Sequence, residues 1–148
     1  MKTCIWLFLA AVSGTAGLNG CRPQPQAQTS PDTHTQRSKL ESLSGLKLPA
    51  EAEILLAIDE SAHDGTKFKK WIVESSQRPT LRGNVTTIED SHPFVAALKD
   101  NLPGKDVGTS VKGKCLSSDW KNEHGPWQAT LFRTTKGFYL DVENVVLG

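Results

Sequence analysis

Residues 22–37 constrain this chain more than any other stretch. They read Arg-Pro-Gln-Pro-Gln-Ala-Gln-Thr-Ser-Pro-Asp-Thr-His-Thr-Gln-Arg, with three prolines, four glutamines and no large apolar side chain. Such a composition cannot bury enough surface to offset the entropy of ordering it. With Cys21 it is expected to be a disordered tether, residues 21–37, which leaves residues 38–148 to build a core. That length fits one domain burying somewhat over about 60% of its unfolded-chain surface. No internal repeat and no second domain is visible.

Ahead of the tether, Lys2 precedes nine apolar residues, Cys4 to Val12, followed by Ser13, Gly14, Thr15, Ala16 and Gly17. This charged, apolar and small-residue order is the layout of a secretory signal. A helix crossing a bilayer needs roughly 20 residues, so this run is a targeting device and not a span.

Leu18, Asn19, Gly20 and Cys21 follow, and they resemble the lipobox of bacterial lipoproteins. The matching positions are an aliphatic residue, a small residue before the cut and the cysteine; Asn19 stands where a small apolar or hydroxyl residue is usual. The resemblance covers about the first 21 residues. It implies removal of residues 1–20 as a lipoprotein signal peptide, palmitate-type acylation of Cys21, and attachment to the bacterial cell envelope through that lipid. It also implies sorting to the outer membrane where the cell has one, since Arg22 is not acidic. Each buried lipid CH₂ contributes about 0.8 kcal/mol, so several chains hold a domain that one would not. A tether of this length lets the domain stand about 25 Å or more from the bilayer. Ordinary cleavage after Ala16, leaving Cys21 as a plain thiol, stays open.

Charge narrows the partners. The chain carries 17 Lys plus Arg and 16 Asp plus Glu, with Lys2 the only charged side chain among residues 1–20. The remainder is neutral, which argues against nucleic acid, whose binding needs a concentrated basic face. Nor is there a polybasic patch for anionic lipid heads. Beyond the signal only Cys21 and Cys115 remain. With Cys21 acylated, Cys115 has no partner, and the fold is expected to rest on its core instead of disulfides. A secreted eukaryotic protein would instead pair the two and glycosylate Asn84 in Asn84-Val85-Thr86.

Within the domain, Ser38 and Glu41 stand at capping-box spacing before Leu40, Leu43 and Leu46, predicting a short helix ended by Gly45. Ile54-Leu55-Leu56-Ala57-Ile58 and Lys67-Phe68-Lys69-Lys70-Trp71-Ile72-Val73 read as strands joined through Asp64-Gly65, a hairpin. Ser91 is placed to cap a helix through Phe94, Val95, Ala97 and Leu98, with Pro93 tolerated in its first turn. Trp127, Ala129 and Leu131 alternate with polar residues, Thr134 to Gly137 turn, and Phe138 to Val142 return. The expected class is α+β: one small domain, mainly antiparallel sheet, with one or two short helices packed on one face.

Chemistry-bearing candidates are few. Cys115 and His124 flank Asp119 and Glu123, so a thiol-dependent hydrolase is conceivable, although no family signature surrounds the cysteine. The tip Asp59-Glu60-Ser61-Ala62-His63-Asp64-Gly65 gathers carboxylates without the spacing of a calcium loop, so no metal site is assigned. No catalytic residue and no cofactor is assigned either. Trp120 stands in a polar stretch read as a loop; exposed beside Lys121 and His124, it would suit contact with a partner. The reading is therefore a membrane-anchored envelope lipoprotein whose domain binds another envelope protein or serves assembly, without catalysis. An inhibitor or immunity lipoprotein against an envelope-targeting hydrolase is the alternative within binding. The sequence leaves the ligand and the oligomeric state open.

Overall fold

The structure, a computed structural model, describes residues 32–112 and 115–148. The signal, Cys21 and the tether through residue 31 lie outside the described residues. Six strands form a single antiparallel sheet: β1 (Glu53–Ser61), β2 (Lys67–Ser75), β3 (Asn84–Ile88), β4 (Cys115–Asn122), β5 (Gly125–Thr134) and β6 (Gly137–Val146). Their order across the sheet is β1-β2-β6-β5-β4-β3. Two helices, α1 (Thr33–Ser44) and α2 (His92–Asn101), complete a small domain that is mainly sheet.

The two hairpins legible in the sequence form as expected. β1 and β2 pair from Glu53↔Glu74 to Ser61↔Lys67 around a turn in which Gly65 adopts φ 86°, a backbone that side-chain-bearing residues resist. β5 and β6 pair from Trp127↔Asn144 to Thr134↔Gly137. β2 is buried at Trp71, Ile72 and Val73 in succession because both faces of the sheet are covered there.

Alternation sends Trp71, Val73, Trp127, Ala129, Leu131, Leu140 and Val142 to one face, where they pack with Leu40, Leu46 and Leu48 of α1 and the segment after it. Ile72, Phe132, Tyr139 and Cys115 face the other way and meet Val95, Leu98 and Leu102 of α2 and its end, and Val107. The expectation of helix on one face is thus corrected: each face carries one helix. Both sides of the central strands are apolar, and each apolar side requires a cover.

α1 begins at Thr33, five residues before the expected domain boundary at Ser38, and Ser38 is exposed inside the helix instead of capping it. Polar anchors hold the first two turns of the helix. Arg37 donates to the Leu48 carbonyl at 2.8 Å and the Ala50 carbonyl at 3.1 Å. Gln36 Oε1 accepts from the Trp71 indole at 3.4 Å, and Lys39 pairs with Asp59 at 2.9 Å. Glu41, expected in a capping box, accepts instead from the Leu48 amide at 2.9 Å. Gly45 ends the helix as predicted, at φ 74°, its amide bonded to the Glu41 carbonyl.

Candidate functional site

The far end of β4, where Trp120, Lys121 and His124 had been expected to form a partner contact, is built as a joint. Trp120 lies on a strand, not a loop. It pairs with Trp127 of β5, and their rings stack at 6.0 Å between centroids; Trp127 in turn stacks on Trp71 at 6.0 Å. The three indoles lie under α1, and the Trp120 Nε1–H donates to the Ser44 carbonyl at 2.9 Å, near the helix C-terminus. Asn122 Nδ2 donates to the Leu43 carbonyl at 2.8 Å while its Oδ1 accepts from the Trp127 indole at 3.0 Å and the His124 amide at 2.9 Å. These bonds satisfy carbonyls a helix end leaves unpaired.

Lys121, next along the strand, takes the opposite face by alternation, and His124 is exposed in the turn, its Nε2 3.4 Å from Glu123 Oε1. Trp120 is therefore committed to the fold, and the three residues do not gather into one surface.

At the near end of β4, Cys115 is only 1% exposed, and burial pushes its thiol up from the ordinary range. A thiol nucleophile needs the reverse, a lowered pKa beside a base. His124 lies beyond the opposite end of the strand, which at about 3.3 Å per residue puts it roughly 20–25 Å away. The Cys115–His124 pairing of the hydrolase alternative is thus not assembled.

A cleft of about 400 Å³ opens beside this thiol. Its floor is apolar, with Leu131 buried and Leu116 and Phe138 half-buried, while Arg78, Lys112 and Arg133 are exposed around it. A second hollow of about 290 Å³ shares Arg78, Leu116 and Leu131 and extends the groove toward Pro79 and Val85. The Arg133 guanidinium stands 5.4 Å above the centre of the Phe138 ring, a cation–π contact that holds it across the opening. Ion pairs among the described residues engage Arg37, Lys39, Lys69, Lys70, Lys105, His124 and Lys136, and none of the three cleft cations. Unneutralised positive charge over an apolar floor suits a negatively charged group on an apolar body.

No sequence motif marks this cleft, because its lining comes from four separated segments. The available signal was indirect: Arg133 breaks the apolar run of β5, and Arg78-Pro79 follows two residues after β2.

Other charged groups are held in ion pairs. On the α2 face, Lys70 Nζ lies 3.0 Å from Asp141 Oδ2 and 2.8 Å from Glu143 Oε1. Burial works against the Lys70 charge, yet its bonds to Glu143 and Asp141 outweigh that and raise its pKa; for Asp141 burial dominates and raises the carboxyl. At the β1–β2 tip, Asp59 is held by Lys69 at 2.6 Å and Asp64 accepts from the Thr66 amide at 2.9 Å. Among the described residues no three of His, Cys, Asp and Glu gather as metal ligands would. The chain matches no protein-family model, no curated protein and no solved structure.

Proposed function

We propose that this chain is a lipid-anchored protein of the bacterial cell envelope, and that its α+β domain binds a partner through the Arg78–Lys112–Arg133 cleft in an assembly or accessory role, without catalysis. Anchoring rests on the lipobox resemblance at Leu18 to Cys21. Binding rests on one observation above all, three exposed cations around an apolar floor that no ion pair among the described residues engages. The occupant is a segment of an envelope protein presenting a carboxylate beside an apolar side chain. Arginine favours that match because its planar fork meets a carboxylate in two parallel bonds.

Two experiments separate the halves of this reading. Cys21→Ser should move the full-length protein from the membrane fraction to the soluble one; a variant that stays equally membrane-bound sinks the anchor. Arg78→Glu with Arg133→Glu should abolish crosslinking to the partner while the fold persists. Unchanged crosslinking would remove the cleft from the proposal.

A further inference from the structure

The second hollow beside the cleft differs from it in charge. Beyond Arg78, Leu116 and Leu131, which border both, it is lined by Pro79, Thr80, Leu81 and Val85, none of them charged. Leu116 pairs with Leu131 and Val85 with Ser118, so alternation sends Leu116, Leu131 and Val85 to one face of the sheet, the face that carries α1. Ser118 is 1% exposed there, yet Val85 opposite it is 49% exposed. A lone exposed valine would mean little; one that borders an apolar hollow joined to a cationic cleft belongs to a contact surface.

The path between the hollows follows from the register. Phe138 in β6 and Val85 in β3 are separated by β5 and β4, which makes three steps of about 4.8 Å across the sheet. Phe138 is level with Arg133, whereas Val85 is level with Ser118 and Ala129, four residues further along β5. At about 3.3 Å per residue the diagonal is about 20 Å, which an extended chain covers in about six residues and a helix in about thirteen. An extended chain turns every second side chain toward the surface beneath it and so supplies one to each hollow. A path across the strands also leaves the β3 edge unpaired.

Resting on the proposal that the cleft takes a carboxylate-bearing segment of an envelope protein, we infer that this occupant is an extended stretch of about six residues laid diagonally over β6, β5, β4 and β3. Its acid stands among Arg78, Lys112 and Arg133, and a second apolar side chain, some residues away from the acid, fills the hollow of Leu81, Val85 and Leu116. The cleft thus selects charge and the hollow selects an uncharged apolar neighbour, with Arg78 at the junction.

The test uses the full-length chain in living cells, with a photoreactive phenylalanine analogue at Phe138 or at Val85. Both should label the same protein, at residues about six apart in its sequence when the adducts are read by mass spectrometry. Val85→Asp, which sets a charge in the apolar hollow, should lower the Phe138 adduct at least about fivefold, and Thr86→Asp, on the opposite face of the same strand, should leave it within about twofold. Thermal unfolding of both variants checks that the fold persists. A Phe138 adduct that Val85→Asp does not reduce, or labels about thirteen or more residues apart, overturns the inference and leaves the cleft standing. No adduct from Phe138 in the parent chain overturns the reading of the cleft and the inference with it.

Discussion

The two ends of β4 show how one strand can serve stability at one end and leave chemistry open at the other. At Trp120 and Asn122 every polar group finds a partner in α1 or the β4–β5 turn, and three stacked indoles fill the space beneath. At Cys115 and Leu116 the covering elements part, and Arg78, Lys112 and Arg133 stand around the opening outside the ion pairs found among the described residues. An aromatic residue among polar neighbours is thus a poor guide to a binding surface when its indole N–H is bonded to a helix end.

Several substitutions test whether the ends differ in this way. The largest effect should come from Trp127→Ala, which removes the middle indole and should cost about 3–5 kcal/mol in denaturant unfolding. Phe138→Ala, in the half-buried cleft floor, should cost about 1–2 kcal/mol; equal losses would erase the distinction between the ends. Asn122→Ala leaves the Leu43 carbonyl and the Trp127 indole without their partner and should cost about 1–3 kcal/mol. Hydrogen exchange of the α1 amides should rise with it.

Cys115 should resist alkylation at pH 8 at least about tenfold relative to the unfolded chain, since desolvation raises its pKa in the fold. A raised folded pKa contributes stability that is present below the ordinary thiol value and lost as pH climbs past the folded one. Comparison with Cys115→Ala isolates that signal. The smallest stability change, within about 0.5 kcal/mol, is expected for Arg78→Glu with Arg133→Glu, because both side chains are exposed; thermal unfolding checks it beside the crosslinking loss.

Legibility in the sequence followed the contrast between apolar and polar periodicity. The hairpins at Asp64-Gly65 and Thr134 to Gly137, and the helix after Ser91, carry strong local signals, and they formed. β4 hid because its inward positions include Ser118 and Asn122, whose polarity masks the period of two. β3 hid as an exposed five-residue edge, although its β-branched run after Gly83 was a usable signal. The start of α1 hid because Gln36, Arg37 and Lys39, in its first two turns, hold it through hydrogen bonds to distant residues, which no local pattern encodes. The cleft was least legible of all, since residues 78, 112, 116, 131 and 133 meet only after the sheet is assembled.

The most direct test of the cleft's role places a photoreactive phenylalanine analogue at Phe138 in one strain and at Lys121 in another, both in the full-length chain in living cells. The account predicts adducts to another protein from Phe138, lost when Arg78→Glu and Arg133→Glu are added, and none from Lys121. Adducts from Lys121 with none from Phe138 would contradict it.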